Sequence, residues 1–144
     1  MAAATVDYPI FIRATAEQVW AGLLEPRYTR KYWMHDNISD WKVGSPFTHR
    51  SHPQGTVDIQ GTVVESDPPR HLAVTWAQPS VPDDVSRVTF ELAPGPEDWP
   101  GGPWTCLRIV HSELIPDGEM HRSVAWGWPA VASGLKTLLE TGGV

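Results

Sequence analysis

The spacing of hydrophobic positions changes period twice along the chain. Val6 to Ile12 mixes aromatic and β-branched residues, which reads as a strand, and Pro9 within it points to a sheet edge or a strand start. Thr15 and Gln18 then stand three apart ahead of an apolar run, the pattern of a reciprocal capping box, so a helix begins there. Its stripe is Ala16, Val19, Trp20, Leu23 and Leu24, and Pro26 stops it by pushing the preceding residue out of the helical region. A second short helix is expected from Pro26 to Trp33.

From Ile38 to about Glu113 the period becomes two, which marks a sheet. Leu72, Val74 and Trp76 alternate with small or polar residues, as do Val88, Phe90 and Leu92, then Leu107, Ile109 and His111. Arg87, Thr89, Glu91, Cys106 and Arg108 occupy the opposite face, which an antiparallel sheet can turn to water. Val57 to Glu65 fits the same scheme with Val57, Ile59, Gly61 and Val63 inward. Gly44-Ser45-Pro46, Asp67-Pro68-Pro69, Pro82-Asp83-Asp84 and the stretch from Pro94 to Pro103 read as loops within one sheet. After Pro116-Asp117-Gly118 the period returns to helical. Val124, Trp128, Val131, Leu135, Leu138 and Leu139 form one stripe on the longest helix, and Gly142-Gly143 ends it. Pro129 inside this helix lacks an amide hydrogen and crowds the carbonyl of Ala125, so a bend is expected between them.

Composition narrows the picture. A chain of 144 residues fits one domain, here residues 1–144, and 41% hydrophobic against 19% charged residues is a globular balance. Eight tryptophans call for large apolar contacts. A formal charge of -6 argues against a nucleic-acid partner. The single cysteine, Cys106, excludes an internal disulfide, and Met1 to Asp7 shows no basic stretch followed by an apolar run, so a soluble, cytoplasmic protein is expected. No segment approaches the roughly 20 apolar residues of a membrane span, so membrane insertion is not expected.

The order strand, two short helices, six strands, long helix resembles the SRPBCC or START-like superfamily, which includes the birch-pollen-allergen-like proteins. Arg30-Lys31-Tyr32-Trp33, Gly61-Thr62-Val63-Val64-Glu65, Pro68-Pro69-Arg70-His71-Leu72, Thr75-Trp76 and Gly127-Trp128-Pro129-Ala130-Val131 carry a closer likeness. With Leu135 to Gly142, they resemble the subfamily named after the C-terminal domain of the heat-shock-protein ATPase activator. The hairpin that usually carries paired glycines has Gly44-Ser45-Pro46 here. The resemblance implies an α+β helix-grip fold, a curved antiparallel sheet wrapped around a long C-terminal helix. It leaves function open, since this fold hosts many activities.

Few residues suggest chemistry. His49 and His52 stand three apart, which on a strand turns them to opposite faces, so no shared metal is expected. Cys106 alternates outward, where it has nothing to attack. No phosphate loop, dinucleotide fingerprint or nucleophile elbow is present, and no cofactor is expected. Arg27, Arg30 and Lys31 form a small basic helix face, read either as solvated surface or as an anion contact. His111 falls on the dry face and needs a hydrogen-bond partner, either a neighbouring strand or helix or a ligand. His49 is a second inward candidate if Phe47 faces in. Neither has a carboxylate at a spacing that marks a dyad, and catalytic residues stay unassigned.

The expected site is one cavity lined by Trp33, Phe47, His49, Val63, Trp76, Phe90, Ile109, His111 and Trp128, with Trp128 as its roof and His111 as its main polar group. Loops around Asp36 and Pro94 to Pro103 are expected to gate it. Three functions compete: binding of a small apolar or amphipathic ligand, a cofactor-independent enzyme of cyclase, dehydratase or hydrolase type, and a chaperone-linked interaction module with a homodimer or protein partner. An enclosed cavity with two inward polar groups favours the enzyme, and a filled core favours the interaction module.

Overall fold

In the computed structural model, which describes residues 2–142, the chain runs β1 (Ala4–Ile12), α1 (Ala16–Leu24), α2 (Pro26–Tyr32), β2 (His35–Ile38), β3 (Pro46–Ser51), β4 (Val57–Asp67), β5 (His71–Trp76), β6 (Ser86–Pro94), β7 (Thr105–Leu114) and α3 (Glu119–Thr141). The strands form one antiparallel sheet in the order β1-β7-β6-β5-β4-β3-β2. The sheet curves around α3 in the expected α+β helix-grip arrangement. Pro9 does sit on an edge strand, where its missing amide hydrogen removes no ladder bond. The capping box of α1 forms as spaced: Thr15 Oγ1 accepts from the Gln18 amide at 3.2 Å, and Gln18 Oε1 accepts from the Thr15 amide at 2.8 Å.

The inner rows are as the alternation predicts. Leu72, Val74 and Trp76, then Val88, Phe90 and Leu92, then Leu107, Ile109 and His111 are buried under Val124, Trp128, Ala132 and Leu135 of α3. The outer face carries ion pairs, Arg108 with Asp7 and Glu91, and Glu65 with Arg87 and His71. α3 continues through Pro129 as one helix and ends at Gly142, whose φ of 84° is the left-handed geometry that glycine adopts freely. Gly143 lies outside the described residues. Two side chains of α3 reach the free edge of β1: Lys136 Nζ donates to the Phe11 carbonyl at 2.7 Å, and Glu140 Oε2 accepts from the Arg13 amide at 2.8 Å.

Several expectations are corrected. Val57 is 38% exposed, because a bulge opposite His49 and Arg50 breaks the alternation between Val57 and Ile59. Asp36 is not in a loop but in β2, buried, where Arg30 grips its carboxylate with two hydrogen bonds of 2.7 and 3.0 Å. Those bonds hold the Asp36 carboxyl below its usual pKa. With Arg30 so committed and Arg27 paired to Glu25, the basic face of α2 shrinks to Lys31. The stretch from Pro94 to Pro103 packs Trp99 on Phe11 and lies against Arg13, toward the later half of α3, so it does not border the spaces described below.

Gly61 lies in β4 where its pairing with β3 overlaps the start of its pairing with the β5 side. It lies opposite Phe47, and a Cβ there would come within 1.8 Å of the Thr75 carbonyl oxygen. No rotamer relieves a backbone clash. Gly61→Ala is therefore expected to cost about 3 kcal/mol in urea unfolding, the upper range for overpacking. A cost below roughly 1 kcal/mol would show that the strands separate easily at this point.

Candidate functional site

The grip brings the predicted aromatic residues together. Trp33 caps α2, Phe47 and His49 alternate inward on β3, Trp76 ends β5, Phe90 is central in β6, His111 follows Ile109 on β7, and Trp128 descends from α3. Ring centroids lie 5.6 Å apart for Trp33 and Trp128, 5.5 Å for Trp76 and Trp128, and 5.8 Å for Phe90 and Trp128. His49 sits 4.8 Å from Trp33 and 5.4 Å from Trp76. Val63 and Ile109 are fully buried behind them.

These rings nearly fill the interior. The enclosed space among Leu24, Trp33, Phe47, Leu72, Trp76 and Phe90 is about 10 Å³, room for one water at most. Two open clefts lie next to these rings, beside the first half of α3. One, of about 160 Å³, lies between Trp33, Trp76, Val124, Gly127, Trp128 and Val131. The other, of about 210 Å³, lies between His35, His49, Asp58, Ile59, Gln78, Glu119 and Met120. Trp76, Ser123 and Val124 line both, so the two clefts adjoin. The single cavity foreseen from the sequence is thus divided. Trp33, Trp76 and Trp128 wall the first cleft, His49 and Trp76 the second, Phe47 and Phe90 border only the small inner space, and Val63, Ile109 and His111 border none of the three.

Three histidines differ sharply in their bonding. His111 Nδ1 accepts from the Trp128 indole N–H at 3.0 Å, which assigns the ring proton to Nε2, and that nitrogen donates to Ser86 Oγ at 2.6 Å. Both nitrogens are occupied by protein. Burial lowers its pKa to about 4, so the ring stays neutral near pH 7. His49 Nδ1 donates to Asn37 Oδ1 at 2.7 Å, since the Asn37 amide nitrogen is turned to the Leu23 carbonyl at 2.8 Å. That leaves His49 Nε2 as an acceptor with no partner. Burial, and secondarily the nearby His35, push its pKa down to about 3. His35 stacks on His49 with centroids 4.0 Å apart, and its own nitrogens face two acceptors, the Trp33 carbonyl at 2.7 Å and Asp58 Oδ2 at 2.8 Å.

Among the described residues, two buried side-chain polar atoms lack any partner, Thr29 Oγ1 and Trp76 Nε1. Thr29 borders none of the clefts. Trp76 borders all three spaces. The sequence reading passed over His35, Asn37, Ser123 and Gly127. His35 and Asn37 stand two apart, a period-two signal, but in a strand too short and polar to stand out.

No cluster of three or more metal-ligating side chains occurs among the described residues. No helix there is long and apolar enough to cross a membrane.

A model of the Activator of Hsp90 ATPase homolog 1-like protein family matches residues 13–140. The chain belongs to that family. Solved structures share the fold. Protein MLL2253 from Mesorhizobium loti is 29% identical, with a TM-score of 0.76 over 98% of this chain and 100% of that one. A protein described as the Aha1 dimer from Colwellia psychrerythraea is 20% identical, with a TM-score of 0.78 over 96% and 98% of the two chains. CalU16 from Micromonospora echinospora is 20% identical, with a TM-score of 0.73 over 94% of this chain and 74% of that one. No curated protein matches the chain. Membership in the Activator of Hsp90 ATPase homolog 1-like family supports a ligand-binding or interaction module in general terms.

Proposed function

We propose that this chain binds a small, mainly apolar molecule in the adjoining clefts beside the first half of α3, between Trp33, Trp76, Val124 and Trp128, with His49 on its polar side. The observation that carries the reading is that the two adjoining clefts share Trp76, Ser123 and Val124 as a common wall, and that His49, which lines the second, has a ring nitrogen without a protein partner. Phe47, Val63, Phe90 and Ile109 back these walls, and His111 acts through Trp128, holding its indole in place. Acid–base catalysis gains less support. With pKa values of about 3 and about 4, His49 and His111 are weak bases near neutral pH.

Gly127 supplies the test. It lines the first cleft, and a Cβ there meets nothing within 4 Å. Gly127→Leu places a side chain in that space while improving helix propensity by up to about 1 kcal/mol. Prodan, a neutral naphthalene dye, is expected to bind the wild type with a blue-shifted emission. The variant should lose about tenfold or more in affinity, the loss of good apolar contact, while melting no lower than the wild type. Equal binding by both proteins would rule the first cleft out.

A second reading, a protein-interaction surface, is favoured by the nearly filled interior and by Trp126, 83% exposed on α3. A structural relative is described as a dimer. Sedimentation that finds the wild type and Trp126→Ala equally monomeric would remove this reading's main support.

A further inference from the structure

The second cleft combines an unused hydrogen-bond acceptor with negative charge. His49 has a relative exposure of 4%. Asn37 fixes its ring proton on Nδ1, so Nε2 carries a lone pair to which no protein group donates. Unlike Thr29 Oγ1 and Trp76 Nε1, this unpaired nitrogen is not sealed from solvent, and of the three spaces around the rings His49 borders only the second cleft. Asp58 and Glu119 line the same cleft. Asp58 gives Oδ2 to His35, and Glu119 makes no ion pair among the described residues. No lysine or arginine lines either cleft. From this we infer that the clefts select a cation, an amine whose ammonium group lies in the second cleft while its one- or two-ring apolar frame lies along Trp76 and Val124. The inference rests on the binding reading above and adds the ligand's charge and chemical class to it.

An ammonium group answers both features. Its N–H groups donate to the lone pair of His49, a ring that burial keeps neutral and therefore does not repel a cation. Its charge is attracted by Asp58 and Glu119, and that attraction acts over several ångströms without either carboxylate having to touch the ligand. A neutral alcohol donates to His49 but gains nothing from the carboxylates. A hydrocarbon gains neither, and a carboxylate brings no hydrogen and is repelled. The free amide groups at the start of α3 favour an anion, but Glu119 in that first turn already supplies the negative charge. The overall formal charge of -6 works in the same direction as the two carboxylates.

The test is a matched series on the full chain at pH 7.5, by calorimetry: 2-naphthylmethylamine, 2-naphthalenemethanol, 2-methylnaphthalene and 2-naphthoate, which share one ring frame. The amine is expected to bind about tenfold more tightly than the alcohol, with the hydrocarbon weaker again and the naphthoate weakest. Raising the salt from about 50 mM to about 500 mM should shrink the lead of the amine over the alcohol. Glu119→Gln removes one charge from the exposed start of α3, and should weaken the amine about threefold while leaving the alcohol unchanged. On nitrogen-15 spectra, the unprotonated Nε2 of His49 should move upfield when the amine binds, and 2-methylnaphthalene should not move it. Equal affinity for all four compounds overturns the choice of a cation and leaves the binding reading standing. Tightest binding of the naphthoate also overturns it, in favour of an anion at the start of α3. An amine lead that neither salt nor Glu119→Gln reduces would refute the selection by charge, and an unmoved Nε2 resonance would refute the contact with His49. If none of the four binds, the binding reading fails together with this inference.

Discussion

Lowering the pH from 7 to 4.5 should remove about 5 kcal/mol of stability, most of it before any carboxylate titrates. The cause is the pair of buried neutral histidines. Their folded pKa values, about 3 for His49 and about 4 for His111, lie below the ordinary 6.5. Between those values the unfolded chain binds more protons than the folded one, so stability is fully present above pH 6.5 and falls with the pH below it. Each histidine contributes about 1.4 kcal/mol per pH unit over that window. The carboxyls of Asp7, Asp36, Glu65 and Glu140 also shift downward, but from ordinary values of 3.8 and 4.5, so their contribution is lost only at lower pH. Urea midpoints measured from pH 7.5 to 4.5 separate the two groups. A flat profile down to pH 4.5 would contradict the neutral, buried state of both rings.

Trp128 and Trp126 are two residues apart on α3 and should give opposite results. Trp128 is 2% exposed, packs on Trp33, Trp76 and Phe90, and donates its indole hydrogen to His111. Trp128→Ala combines a large cavity with an orphaned imidazole nitrogen, an expected loss of about 3–5 kcal/mol. Trp126 is 83% exposed, and Trp126→Ala should stay within about 0.5 kcal/mol of the wild type. Trp128→Phe keeps most of the ring volume and isolates the hydrogen bond, at about 1–3 kcal/mol. Melting curves of the three variants check the assignment. Similar losses from Trp126→Ala and Trp128→Ala would refute the orientation of α3.

Those two tryptophans also mark what was legible in the sequence. Helical spacing alone puts Trp128 with Val124, Val131 and Leu135 and leaves Trp126 outside. Strict alternation likewise placed the inward rows of β5, β6 and β7 as far as His111, but not Leu114, which is buried beyond Glu113, a residue with a φ of 61°. It failed where geometry departs from the ideal repeat, at the bulge that turns Val57 outward. It also missed β2, where Asp36 and Asn37 are buried side by side because Arg30 and the Leu23 carbonyl satisfy them. Such partners are distant choices that no local pattern announces. The same holds for His111, whose need for a partner was readable, whereas the partners themselves, Ser86 and Trp128, were not. The location of free volume was the least legible feature, since it is what remains after every side chain has packed.

The way α3 ties down β1 bears on how this chain avoids sticking to its own kind. A sheet's outermost strands offer unpaired backbone groups on which further chains can nucleate fibrils. Here one edge carries Pro9, and Lys136 and Glu140 occupy the Phe11 carbonyl and the Arg13 amide. The other edge, β2, is only four residues long and contains the charged Asp36. Both borders are therefore poor templates for strand addition, so edge-to-edge aggregation is blocked at each end, and self-association would have to use helical or face surfaces.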